Sequence, residues 1–227
     1  MIIAIDGPSG AGKSTLGKMI AKKLNLLYLD TGAMYRAVGL AVAEAGTDFN
    51  DTEKIAEIAR ASKIELVGAP ENLQIFLNGR NVSAEIRTAE IGQAASIVSS
   101  VSEVRRILVE HQRFLGQNSP RGCVLDGRDI GTVVFPKADV KFFLTATAKA
   151  RARRRFEEDT ERGLMTTYEQ TLSEINLRDK RDVTRADSPL SIAEGAIVID
   201  TSELNLTEAF EQMIKIVEDK DFTGSDS

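Results

Sequence analysis

The run Ile2-Ile3-Ala4-Ile5-Asp6-Gly7-Pro8-Ser9-Gly10-Ala11-Gly12-Lys13-Ser14-Thr15 constrains the fold of this chain more than any other segment. It reads as a buried strand, a glycine-rich loop and the start of a helix, and Gly7 to Ser14 fits the pattern G-x-x-x-x-G-K-[ST]. Gly7, Gly10 and Gly12 let the backbone turn tightly and aim successive N–H groups at phosphate oxygens. Pro8, Ser9, Ala11 and Thr15 complete the loop and the first helical turn. Lys13 supplies a positive charge for the outer phosphates and is expected to be partly exposed. The Ser14 hydroxyl can reach a magnesium ion. The N-terminal end of the helix that starts near Lys13 points its dipole at the same place. The strand before the loop and the amphipathic stretch 16–24 after it are the context the motif needs, so the segment implies a cradle for a nucleoside triphosphate.

The rest of the chain alternates strand-like and helix-like segments. Five short apolar runs, Ile2–Asp6, Leu27–Asp30, Cys123–Asp126, Val140–Leu144 and Ile197–Asp200, are continuous rather than alternating, as in strands covered on both faces. Helical patterns over Lys13–Leu24, Met34–Ala45, Val101–Leu115, Lys149–Glu161, Thr167–Arg181 and Thr207–Glu218 separate them, with Gly46 as a left-handed cap after the second. This implies a doubly wound α/β fold with a five-stranded parallel sheet and its chemistry at the carboxyl ends of the strands. One stretch breaks the rhythm. Lys63–Val67 and Leu73–Leu77 alternate, and the turn signal Asn78-Gly79 leads into Arg80–Val82. With a helix at Thr52–Ala61 and a helical stretch at Ala89–Val98, this reads as a small antiparallel insertion, either a structural flap or a substrate-binding lobe. The tail Phe222–Ser227 is expected to fray.

Composition excludes several classes. With 227 residues, 42% hydrophobic and 28% charged, the chain matches an ordinary soluble protein with one core and a small inserted domain. It has no apolar run long enough to cross a membrane. A core strand at the first residues leaves no room for a signal peptide, so a cytoplasmic location is expected. The single cysteine, Cys123, cannot pair internally and reads as a buried strand residue. His111 is the only histidine and reads as a helix-surface residue; without a His/Cys cluster a transition-metal site is not expected. The net charge of −5 argues against broad nucleic-acid binding.

Charged residues gather at predicted strand ends. Thr31 follows the second strand as a candidate helix cap, with Arg36 a turn later. Asp126, ending the third strand, can hold a magnesium-bound water. The next residues, Gly127-Arg128-Asp129-Ile130-Gly131, are either a local ion pair or a site, and two glycines at a strand end favour the site. Arg178, Asp182 and Arg185 fall at i, i+4 and i+7 and would share a helical face bordered by Arg181, as a solvated helix could also arrange. Arg151-Ala152-Arg153-Arg154-Arg155 opens the helix after the fourth strand, where a lid would offer arginines to a triphosphate. The alternative, a nucleic-acid patch, conflicts with the acidic residues that follow.

The stretches IDGPSGAGKST, LDTGAMYR, SAEIRT, DGRDIGTVVFP and RDKRD..R...PL resemble the bacterial cytidylate kinases, a nucleoside-monophosphate kinase family, over essentially the whole chain. The resemblance implies transfer of the ATP γ-phosphoryl group to CMP or dCMP with Mg2+; a monomer without nucleic-acid or membrane partners is expected. It implies a core at about 1–50, 99–148 and 183–220, a monophosphate-binding insertion at about 51–98, and a lid at about 149–166 followed by a helix to about 182. Carried over by position, Arg36, Arg128 and Arg185 would hold the CMP phosphate, Ser96, Arg105 and Asp129 would read cytosine, and Arg178 and Asp182 would hold the ribose. Thr31 stands in the substrate site where relatives often carry serine. Arg151 and Arg154 are assigned to ATP with the loop 7–15, Ser14 to the metal, and Lys13, Asp126, Arg128 and Arg185 to catalysis. Rival readings are a kinase for another monophosphate or small metabolite, a GTPase switch, which would need an Asn-Lys-x-Asp tetrapeptide that is absent, and a nucleic-acid-handling ATPase.

Overall fold

Five apolar strands, each too short to bury itself alone, assemble into one parallel sheet. The computed structural model describes the backbone of residues 1–161 and 163–224 and side chains to residue 220, Arg162 excepted. In chain order the elements are β1 (Ile2–Asp6), α1 (Lys13–Leu24), β2 (Leu27–Asp30), α2 (Thr31–Glu44), α3 (Thr52–Ala61), β3 (Ile64–Val67), β4 (Gln74–Leu77), β5 (Arg80–Asn81), α4 (Ala89–Val98), α5 (Ser102–Gln117), β6 (Cys123–Gly127), a π-helical turn (Ile130–Val134), β7 (Val140–Thr145), α6 (Ala148–Glu161), α7 (Tyr168–Thr184), β8 (Ile197–Asp200) and α8 (Leu206–Gly224). The sheet order is β2-β6-β1-β7-β8, with every pair parallel. The doubly wound architecture is as the alternation of patterns implied. Because β1 is central, the chain leaves it towards β2 on one side and later returns to β7 on the other. The crevice outside its carboxyl end is where such folds bind ligands.

Period-two geometry divides the sheet residues between two cores. Ile3, Ile5, Val124, Phe142 and Leu144 face α1 and α8, meeting Leu16, Ile20 and Met213. Ala4, Leu29, Cys123 and Leu125 face the other way, against Val109 of α5 and Ile130, Val134 and Phe135 of the turn segment. Cys123 is buried, as its apolar neighbours indicated. Burying each Leu, Ile or Phe here contributes roughly 1.5–3 kcal/mol.

The alternating segment forms a separate antiparallel sheet, β3-β4-β5, with Ile64 opposite Leu77 and Leu66 opposite Ile75. Asn78 (φ 51°) and Gly79 (φ 81°) supply the two left-handed residues of its tight hairpin. Ile64, Ile75 and Leu77 join Met34, Val38 and Leu40 of α2, Ile55 of α3 and Ile91 of α4 in a third core. Helices α2 and α4 approach so closely that a Cβ on Gly39 would lie 2.9 Å from the Ala95 nitrogen.

Some local expectations need correction. Helix α2 begins at Thr31 because Asp30, not Thr31, is its N-cap: Asp30 Oδ1 accepts from the Ala33 N–H at 2.8 Å. Helix α7 ends at Thr184, and Arg185 has extended backbone (φ −63°, ψ 144°). Arg178 and Asp182 therefore share the helix, but Arg185 follows it rather than completing an i+7 face. Helix α8 continues to Gly224 where fraying was expected from Phe222; residues 225–227 lie outside the described residues.

Candidate active site

The P-loop runs from β1 into α1, and its glycines answer to tight geometry. At Gly7 (φ 145°) a Cβ would collide with the Leu144 carbonyl oxygen at 2.0 Å, and Gly10 (φ 79°) lies against the Arg151 side chain. Lys13 opens α1 but is only 6% exposed, a correction to the partly exposed lysine expected. Its Nζ donates to the Pro8 carbonyl at 2.7 Å. Burial, and then the nearby Arg128, hold its ammonium well below the usual lysine range.

Beside it, Ser14 Oγ donates to Asp126 Oδ2 at 2.6 Å and the Tyr28 hydroxyl donates to Asp126 Oδ1 at 3.0 Å. Asp126 ends the polar reach of β6 and is 4% exposed; burial, then the Asp30 carboxylate, push it up to about 6. Thr31 Oγ1 donates to the Asp126 carbonyl at 2.6 Å, which ties the start of α2 to β6. A serine hydroxyl next to a carboxylate is a hard oxygen pair of the kind that suits Mg2+. Among the described residues no cluster of three His, Cys, Asp or Glu residues suits a resident metal.

A second group of side chains is strongly cationic. Arg128 donates from Nε to Asp182 Oδ2 at 2.7 Å and from Nη1 to the Gly127 carbonyl at 3.2 Å. Burial would lower Arg128, but Asp182 outweighs it and raises it; conversely Asp182 is held below the usual carboxylate range by Arg128 against the effect of burial. Arg36 donates to the carbonyls of Ile86 and Thr88 at 2.7 and 3.3 Å. Arg178 keeps a buried Nε with no partner. Arg36 and Arg178 are both pushed down to about 10, first by burial and next by a neighbouring guanidinium, Arg87 for Arg36 and Arg128 for Arg178, with Arg155 adding to both. Five arginines, 36, 87, 128, 155 and 178, are thus linked by repulsion through Arg36 and Arg178, and Arg128 and Arg178 also act on Lys13.

The third group lies deeper. Asp129 is 5% exposed; it accepts from Arg105, and Arg185 Nη2 lies 3.9 Å from its other oxygen. Arg105 stacks over the Tyr35 ring with its Cζ 5.5 Å from the centroid. Burial and then Arg105 lower Arg185. Ser96 accepts from Arg181 Nη1 at 3.5 Å and lines a cleft of about 320 Å3 together with Arg181, Asp182 and Arg185.

The basic run at the start of α6 is not a free set of lid arginines. Arg151 is 4% exposed and donates to the carbonyls of Ala146 and Ser9 and to both carboxylate oxygens of Asp179, at 2.6 to 3.0 Å. Arg154 donates to the hydroxyl and carbonyl of Thr201. Arg151 therefore ties α6 and α7 to the loop, and Arg155, named in the same run but not assigned to ATP, pairs with Asp159 and adds its charge to the surroundings of Arg36 and Arg178. Asp6, Tyr28, Arg87 and Asp179 were missed as well. Arg87 pairs with Asp30 at 3.1 Å and sits in the stretch SAEIRT, which was quoted but not searched for further site residues. Asp6 carried a signal too, as one of four strand-ending aspartates. His111 is half-buried on α5, away from these groups by role as well as chemistry.

The family model described as cytidylate kinase matches residues 3–219. The cytidylate kinase of Caldanaerobacter subterraneus subsp. tengcongensis is 50% identical over 215 residues, covering 95% of this chain and 93% of that protein. The cytidylate kinase of Bacillus subtilis is 44% identical over 218 residues, covering 96% of each. An uncharacterized protein from Eubacterium ventriosum shares the fold, with a TM-score of 0.54 at 13% identity over 96% of this chain and 98% of the other. With a P-loop, a serine–carboxylate pair and a crowded set of arginines at the carboxyl end of its sheet, the chain belongs to the cytidylate kinase family.

Proposed function

We infer that this enzyme transfers the γ-phosphoryl group of ATP to CMP, and to dCMP, giving ADP and the nucleoside diphosphate. A phosphate oxygen of the monophosphate attacks the γ-phosphorus in line, and the bond to the oxygen shared with the β-phosphate breaks. The attacking oxygen is already anionic, so no protein base is required. The observation that carries this reading is the self-repelling set of five arginines beside the P-loop lysine. Such a set is costly in an empty site and is offset when two phosphorylated nucleotides meet there.

In this reading Arg36, Arg128 and Arg185 hold the CMP phosphate, Arg178 and Asp182 the ribose, and the Arg105–Asp129 pair with Ser96 the base. An ionised Asp129 accepts from the cytosine amino group and repels the carbonyl that uracil has in its place. Loop residues 7–15 hold the ATP phosphates, and Lys13 sets its positive charge against them. Bound Mg2+, held through Ser14 with Asp126 beside it, would neutralise charge on the ATP phosphates. The segment of about 51–98 serves as the monophosphate-binding part, about 149–166 as the lid followed by a helix to about 182, and about 1–50, 99–148 and 183–220 as the core of a cytoplasmic monomer. No helix among the described residues is long and apolar enough to cross a membrane.

The direct test is ADP formation from ATP with CMP, dCMP, UMP, AMP and GMP offered separately. CMP and dCMP are expected to lead by at least tenfold in kcat/KM. Equal or greater turnover of a purine monophosphate would overturn the assignment.

A further inference from the structure

Asp6 has no part in the site described above, yet it is the last residue of the central strand and is 2% exposed. A buried carboxylate needs partners, and this one takes them from backbone. Oδ1 accepts from the Ile130 N–H at 2.8 Å and Oδ2 from the Gly131 N–H at 2.7 Å. In the sheet register Asp6 also stands opposite Gly127. The two residues between these anchors are Arg128 and Asp129. One end of that dipeptide is thus fixed by strand pairing, and the other by a two-pronged carboxylate.

The surrounding packing leaves the clamp little slack. A Cβ on Gly131 would lie 3.1 Å from Ala193 Cβ and 3.3 Å from both Asp6 Oδ2 and the Lys141 chain. A Cβ on Gly127 would lie 2.7 Å from Ile130 Cδ1. Beyond the clamp, the Asp129 carbonyl accepts from Val133 and Val134 N–H at 2.8 and 3.1 Å, so the turn is closed on both sides.

We propose that Asp6 is the positioning residue that aims Arg128 and Asp129 at the monophosphate, by gripping the backbone on which both side chains are mounted. It acts through those residues and does not itself touch the nucleotide. The clamp works fully only when the carboxyl group is ionised, since protonation turns one oxygen into a donor and leaves it a much poorer acceptor for the N–H it faces. Burial raises Asp6 to about 6; the two backbone N–H groups and Lys13 on α1 act downwards and Asp129 upwards, while Lys141 on β7 brings its aliphatic chain to the same turn. The clamp therefore loosens as pH falls through about 6.

The proposal rests on CMP as acceptor, and its test has one arm that does not. In 15N-resolved spectra of the unaltered protein, the Ile130 and Gly131 amide resonances are expected to shift together with a midpoint near pH 6, and Asp6→Asn should abolish that titration. In steady-state assays at pH 8, Asp6→Asn should raise the KM for CMP at least tenfold and leave the KM for ATP within about twofold, because a side-chain NH2 would then face an N–H donor at one prong. A general structural defect would move both KM values together. Amides that do not titrate in the unaltered protein, or a folded Asp6→Asn enzyme with an unchanged KM for CMP, would overturn the proposal. If the unaltered enzyme failed to phosphorylate CMP, the functional reading would fall, and the amide titration would still decide whether Asp6 holds the turn. The wild-type titration also decides should Asp6→Asn fail to fold.

Discussion

Lys13 shows how a familiar motif can hide an unfamiliar environment. The spacing of the P-loop identifies the lysine, but its position against the Pro8 carbonyl and beside Arg128 follows only from the fold. Burial and then Arg128 hold its pKa well below the usual lysine range, and phosphate anions favour the charged form, so bound ATP should raise it. Calorimetric titration with an ATP analogue should then show proton uptake that grows as pH rises into the range where the free lysine loses its proton, measured as different heats in two buffers of different ionisation enthalpy. Lys13→Met should lose both the uptake and phosphoryl transfer; buffer-independent heats in the unaltered enzyme would contradict the picture. Arg128 presents the same lesson in its geometry. Nε is committed to Asp182 and one Nη1 hydrogen to the Gly127 carbonyl, which leaves Nη2 and the second Nη1 hydrogen for phosphate. Lysine cannot make both contacts. Arg128→Lys is expected to lose about 3 kcal/mol of transition-state stabilisation, roughly a hundredfold in kcat/KM. Most of its kcat/KM surviving would remove the bidentate role. Arg151 marks where reading by residue type fails: density of charge suggests exposure, while an acidic partner 28 residues away, Asp179, makes burial possible.

At the scale of elements the sequence was most legible where both faces of an element are covered. The strands stand within a residue of their apolar runs, where Lys141 of β7 is the one charged residue inside a run. The turn pair Asn78-Gly79 located the small sheet for a local reason of the same strength. Boundaries failed where neighbouring residues could do the same job: Asp30 and Thr31 can each cap a helix, and only the Thr31 bond to the Asp126 carbonyl separates them. The turn at 130–134 carries no helical periodicity and was legible only as a loop. Helix packing makes its own prediction at Gly39. Any Cβ there presses on α4, so Gly39→Ala should destabilise the protein by about 1–3 kcal/mol, seen as a lower denaturant midpoint; an unchanged midpoint would mean that α2 and α4 can part freely. The inserted sheet should respond to substrate, because Arg36 and Arg87 tie residues 86–88 to the ends of β2 and α2. Hydrogen exchange across 63–82 is expected to slow on addition of CMP. Identical exchange with and without saturating CMP would make the insertion a fixed structural element.

For the whole molecule, the site is maintained against stability. Asp6 and Asp126 both titrate near 6, above the ordinary aspartate value of 3.8. A raised carboxylate pKa gives stability that is complete below about 4 and lost as pH rises through 6. For Asp6 the shift corresponds to about 3 kcal/mol. Asp126→Asn keeps an acceptor for Ser14 while removing the buried charge, so it should melt higher than the unaltered protein at pH 8, with the gap closing towards pH 4, and should be nearly inactive. A lower melting temperature at pH 8 would show that Asp126 is instead stabilised by its neighbours. The placement of the two kinds of site residue on α7 has a different consequence. Asp179 reaches the P-loop through Arg151, and one turn later Asp182 reaches the acceptor cluster through Arg128. One helix thus enters both binding equilibria. Whatever factor CMP applies to the affinity for ATP, ATP must apply to the affinity for CMP, and weakening the first contact, as in Asp179→Asn, should bring that shared factor towards one and leave two nucleotides that bind in ignorance of each other.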